Sequence, residues 1–79
     1  RSASGSNLAS LCAGSVTLSG NLYPGIQIIL RNNNITRSVK TDFNGNWAIT
    51  LELESGDLEI EFINDTSGES YFSNTYSVD

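Results

Sequence analysis

Histidine and methionine are both absent from this chain of 79 residues. Without an imidazole there can be no His-based triad, no His-ligated zinc and no imidazole general base. Cysteine occurs once, at Cys12, so no disulfide closes within the chain. A lone cysteine is a bridge to another chain or a free thiol in an oxidising compartment, and a small apolar residue in a reducing one. Basic residues stop early: Arg1, Arg31, Arg37 and Lys40 all precede Thr41, and all nine acidic residues follow it. The net charge of −5 argues against a nucleic-acid partner. Its uneven spread describes a molecule with a positive and a negative end, able to attract its own kind. No apolar run approaches the roughly 18 residues of a membrane-crossing helix. No nucleophile–base pair, paired carboxylates or phosphate loop stands out either, so the expectation is a protein that is not an enzyme and uses no cofactor.

What remains is hydroxyl- and amide-rich, with charged residues at only 16%. Such a surface fits an extracellular domain. A chain this short supports one small domain with a thin core. It opens on Arg1 rather than methionine, as a processed chain or a piece of a longer one would.

The dominant hydrophobic period is two. Trp47, Ile49, Leu51 and Leu53 alternate with polar residues and Ala48. Leu58, Ile60 and Phe62 then alternate with Glu59 and Glu61. With Ser55-Gly56 as a two-residue turn, this predicts a hairpin that pairs Leu53 with Leu58, Leu51 with Ile60 and Ile49 with Phe62. The same register sets Glu52 against Glu59, a like-charge pair for solvent, a cation or a basic partner to offset.

Asn44-Gly45 resembles a two-residue hairpin turn, but that register would drive Asp42 and Lys40 toward the core. A loop from Asp42 to Asn46, pairing Thr41 with Trp47 and Val39 with Ile49, avoids the penalty. Gly45 then supplies a positive φ. Further strands are expected at Ser15–Gly20, from Ile26 through Leu30, over Ile35–Lys40 at an edge, and around Phe72, Tyr76 and Val78. These make six strands with turns every 8 to 12 residues, the rhythm of an all-β sandwich.

A first strand ending in Gly20, Pro24-Gly25 before the Ile26-x-Ile28 strand, and Thr41-Asp42-x-x-Gly45-x-Trp47 opening a long alternating strand form a recognisable series. Over residues 15–62 the chain resembles the carboxypeptidase-regulatory-like, transthyretin-like and bacterial immunoglobulin-like β-sandwiches. The resemblance implies a small immunoglobulin-like (Greek-key) antiparallel β-sandwich of six to seven strands with an extended N-terminal segment. It also implies a non-catalytic module of a secreted or surface protein. Isopeptide-forming relatives need a lysine on the first strand, and none stands there.

Several residues are candidates for sites. Asp42, Asn44 and Asn46 present oxygens in an Asp-x-Asn-x-Asn spacing, but the glycine falls at the wrong position for a calcium loop and no bidentate glutamate follows, so a plain turn is the better reading. Trp47 falls on the inward face, whereas Tyr23 and Tyr71 are candidate surface aromatics for stacking on sugars. Asn34 and Asn64 head N-glycosylation sequons at loop tips, which admits N-linked glycans. Residues 1–14 form an N-terminal extension ahead of a 15–79 sandwich domain. Leu8, Leu11 and Cys12 would anchor it as a strand donated to a neighbouring copy, or as the domain's own first strand. Arg31, Arg37 and Lys40 of one copy would then meet Glu52 and Glu59 of the next. The expectation is a structural subunit of an extracellular filament or pilus-like appendage, a homopolymer joined head to tail. The alternative is an immunoglobulin-like module of a surface adhesin or secreted enzyme, with glycans as a candidate ligand.

Overall fold

The computed structural model describes the chain from Ser10 to Asp79, where the regular elements are all strands. They are β1 (Ser10–Leu11), β2 (Gly14–Asn21), β3 (Ile26–Asn32), β4 (Ile35–Lys40), β5 (Asn46–Leu53), β6 (Gly56–Asn64) and β7 (Ser70–Val78). A five-stranded sheet, ordered β1-β7-β6-β3-β4, faces a two-stranded sheet of β2 and β5. Neighbours run antiparallel except β1, which lies parallel to the end of β7. The chain is an all-β, two-layered molecule consistent with a small β-sandwich.

The core lies where the alternation directs it. Ile26, Ile28 and Leu30 of β3, Leu51 and Leu53 of β5, Leu58 of β6 and Val78 of β7 are buried together. Full burial of a side chain such as Ile28, Leu30 or Leu58 stabilises by roughly 1.5–3 kcal/mol. β3, flanked by β4 and β6, keeps every second residue buried along its length.

The expected hairpin between β5 and β6 does not form. β5 pairs with β2, setting Ile49 beside Leu18 and Leu51 beside Val16. β6 belongs to the other sheet, between β3 and β7. Leu53 and Leu58 still share the core, but from opposite layers. Glu52 therefore lies opposite Ser15, and Glu59 between Arg31 and Thr75, so no Glu52–Glu59 pair exists.

The crossing is bridged by Asn32, a buried polar residue with 1% of its surface exposed. Its Nδ2 donates to the carbonyls of Glu54 (3.1 Å) and Asp57 (2.9 Å), and its Oδ1 accepts from the Glu54 amide (2.7 Å). Next to it Asn33, in the left-handed region at φ 56°, donates to the Ser55 carbonyl at 3.0 Å. Two asparagines thus satisfy the backbone of an arch that leaves one sheet for the other, where a hairpin would have satisfied its own.

The β4–β5 connection deviates in the same way. Val39 pairs with Ile28 and Ile49 with Leu18, so β4 and β5 are not ladder partners. The turn itself is wide, as expected: the Asp42 amide donates to the Asn46 carbonyl at 3.0 Å, and Gly45 has φ 82°. A Cβ on Gly45 would collide with the Leu22 carbonyl, which makes glycine obligatory for the close approach.

Candidate functional site

A strand occupies roughly 4.8 Å of sheet width, so over most of its length, beyond the reach of the two-residue β1, the four strands β7-β6-β3-β4 outreach two by about 10 Å. β4 and β5, from opposite sheets, come into close contact, which sets the narrow sheet toward the β4 side. The overhang therefore falls on the β7 side. There the inner face of the wide sheet is left partly bare, and two cavities open along it.

The larger, about 320 Å³, is lined by Leu22, Tyr23, Ile26, Phe62 and Tyr71. The smaller, about 190 Å³, lies between Leu11, Leu18, Ser19, Trp47, Ile60 and Tyr76. Ile60 and Phe62 stand two residues apart on one face of β6, so the cavities are neighbours along a single strand. Both linings are mainly apolar.

Local sequence explains how the aromatic rings reach this side. Trp47 stands opposite Gly20 in the β2–β5 ladder, and its indole leans across the glycine. A Cβ there would come within 2.7 Å of the indole nitrogen. The indole meets Phe62 edge to face at 6.4 Å between centroids, and Phe62 in turn stacks on Phe72 at 5.0 Å. Trp47 thus faces inward but is only half buried, because the layer that would cover it is missing.

Tyr23, Phe43 and Tyr71 are 80%, 97% and 56% exposed at the end of the molecule where the β2–β3 and β4–β5 turns meet. Those turns are tied together by the Leu22 amide on the Gly45 carbonyl (2.7 Å) and the Thr41 amide on the Ile26 carbonyl (3.0 Å). Thr41 Oγ1 donates to the Tyr23 carbonyl at 2.9 Å and accepts from the Ile26 amide at 3.1 Å. The Thr-Asp-x-x-Gly-x-Trp series is therefore the knot between two turns. The exposure of Tyr23 and Tyr71 agrees with their assignment as surface aromatics. Phe43 carried no signal beyond being a lone aromatic in a polar turn.

Against known proteins the comparison is short. No family model matches the chain, and neither does any curated protein or solved structure. The fold and the open side therefore have to speak through their own chemistry.

Other sequence-derived candidates separate from this side. Leu11 does not lie free for donation: it pairs with Val78 and packs on the chain's own core. The Asp79 amide donates to the Leu11 carbonyl and the Ala13 amide to the Asp79 carbonyl, each at 2.8 Å. Partly burying Leu11 while covering the last two residues of β7 favours this placement in its own molecule. Cys12 follows, exposed with a free thiol, and Leu8 lies outside the described residues.

The charges proposed to meet across copies are in part already engaged. Arg31 Nη1 donates to Glu59 Oε1 at 3.0 Å and to Glu61 Oε1 at 3.2 Å, since all three lie in register on β3 and β6. Its hydrogen bonds to Glu61, and then to Glu59, raise the Arg31 pKa above its ordinary value. Lys40 Nζ lies 3.3 Å from Asp65 Oδ2. Arg37 and Glu52 are exposed on β4 and β5.

Asp42 Oδ1 accepts from the Asn44 and Asn46 amides at 2.9 and 3.0 Å, closing the turn. Asn46 Oδ1 accepts from Asn21 Nδ2 at 2.7 Å. Among the described residues no group of three His, Cys, Asp or Glu side chains could hold a metal ion. Asn34 is exposed in the β3–β4 turn. Asn64 is built into its turn: Oδ1 accepts from Thr66 and Ser67 amides, and Nδ2 donates to Tyr71 Oη at 2.7 Å.

Proposed function

We propose that this chain is a non-catalytic, immunoglobulin-like module of an extracellular or cell-surface protein, and that its open side is where it engages a partner. The unequal width of the two sheets carries this reading. A sandwich that covers only part of its wider sheet leaves aromatic and aliphatic surface facing water, and such contiguous surface marks interaction sites. The hydroxyl- and amide-rich exterior and the resemblance to secreted β-sandwiches support the location. The Arg31–Glu59–Glu61 cluster reads as an internal brace of the outer face and not as a docking signal. Exposed Tyr23, Phe43 and Tyr71 keep glycans in view, although the larger cavity offers a sugar few polar groups to bind.

The filament subunit is the second reading, favoured by the same open side: a neighbouring copy would supply what the narrow sheet lacks. Light scattering coupled to size-exclusion chromatography at pH 7, over a range of loading concentrations, tests the two. A constant monomer mass is the outcome expected of the module. Mass that grows with concentration would overturn it in favour of the filament.

A further inference from the structure

The free strand edges differ in one respect that identifies the partner of this open side. Among the described residues, β7 is an edge apart from the two residues covered by β1, as are β4, β2 and β5. Charge on an edge strand discourages other chains from pairing with it. β4 carries Arg37 and Lys40, and β5 carries Glu52. β2 (GSVTLSGN) and β7 (SYFSNTYSV) carry no charge and no proline. Residues of both strands line the smaller cavity (Leu18 and Ser19 of β2, Tyr76 of β7), and the larger continues past the end of β2, between Leu22 and Tyr23 on one side and Tyr71 of β7 on the other.

Building on the reading of the open side as an interaction surface, we propose that β2 is a strand acceptor for an uncharged, extended segment of another polypeptide. The segment extends the two-stranded sheet beyond β2, and its alternate apolar side chains enter the two cavities. Backbone hydrogen bonds to the β2 edge supply affinity that is indifferent to side chain, and the cavities supply selectivity. Because Ile60 lines one cavity and Phe62 the other, two residues apart, the guest's anchors are also two apart, on one face of its strand. A charge at either anchor would be desolvated against apolar walls without a counter-ion.

A second copy fits less well. Its own β2 edge is overhung by about two strand widths of its wide sheet, which would strike the first copy's overhang before the two β2 strands met. Residues 1–9 hold one large apolar residue, Leu8, and a charge at Arg1, a poor match to alternating anchors. They also join the body at Ser10, on the β7 edge and not at β2.

Trp47 is the sole tryptophan and lines the smaller cavity, so its fluorescence reports occupancy. The probe is an acetylated, amidated heptapeptide alternating Ser/Thr with Val/Leu, titrated into the full chain beside a control peptide with Lys at the apolar positions. The expected result is a saturable blue shift of Trp47 emission with a Kd of about 1 mM or tighter, and none with the control. Ser19→Lys places a charge on the β2 edge and should weaken binding about tenfold or more, whereas Ala48→Lys on β5 should leave it unchanged. Circular dichroism confirms that both variants fold.

Equal binding by both variants overturns β2 as the acceptor, as does the absence of any shift with the alternating peptide. A Trp47 shift that appears with protein concentration alone assigns the opening to a second copy, and a shift on deleting residues 1–9 together with tighter peptide binding assigns it to the chain's own segment; either overturns the proposal. Binding of anilinonaphthalene sulfonate is followed in parallel. If the dye binds and the peptide does not, the strand acceptor fails while the open apolar side stands; if neither binds, both fail.

Discussion

Asn32 shows how much a single amide can decide. It sits at the end of β3, first in a stretch of three asparagines. Folded, it makes three hydrogen bonds to the arch between β5 and β6. Asn32→Ala would leave the Glu54 amide and two carbonyls without these partners, which costs roughly 2–4 kcal/mol where water cannot replace them. Thermal denaturation should show a midpoint lowered by about 10 °C or more, at the usual 4–8 °C per kcal/mol for a domain of this size. A midpoint within a few degrees of wild type would mean that water takes over the arch. Gly45→Ala should also destabilise, by at least about 1 kcal/mol, because the new methyl meets the Leu22 carbonyl and φ is 82°. Asp42 belongs to the same turn. Its Oδ1 already accepts two backbone amides, so calorimetry with and without EDTA should give one and the same melting temperature.

At the scale of elements, the sequence told strands from turns well and told strand partners poorly. β4 is found at Ile35–Lys40 as expected, and the 15–20 and 70s strands lie within a residue or two of their expected places. Period two says which face of a strand is buried. It does not say whether the apolar partner lies beside that strand in its own sheet or across the core in the other. Leu53 and Leu58 satisfy both geometries, and the deciding information was held by Asn32, distant in sequence and polar. Trp47 was legible as inward-facing, yet the bare overhang beside it follows from sheet widths that no local pattern encodes. The Arg31–Glu59–Glu61 brace was hidden for the same reason, since its register depends on β3 meeting β6. These groups are partly exposed, Arg31 and Glu59 to about 40% and Glu61 to 20%, so salt screens the brace in part. Arg31→Gln should lower the melting temperature at low ionic strength, and the difference from wild type should shrink in about 1 M NaCl, where the screening length falls to about 3 Å. A difference that persists undiminished would assign Arg31 a packing role.

For the molecule as a whole, charge and open edges oppose each other. At pH 7 a net charge of −5 repels one copy from the next, while uncharged β7 edges offer unpaired backbone groups and the β2 side offers apolar surface. The sequence isoelectric point is about 4.3. As pH falls from 7 toward that value the carboxylates gain protons, the net charge goes from −5 to zero, and the repulsion disappears while the edges are unchanged. Monomers at neutral pH should therefore associate near pH 4.3, and added salt at pH 7 should move the onset upward by screening the same repulsion. Static light scattering from pH 8 down to pH 4 reads this directly, with the alternating heptapeptide present in a second series. The peptide should suppress association to the extent that β2 and the cavities mediate it, leaving only the share carried by β7. A chain that scatters as a monomer through its isoelectric point would show that charge is not what keeps these edges apart.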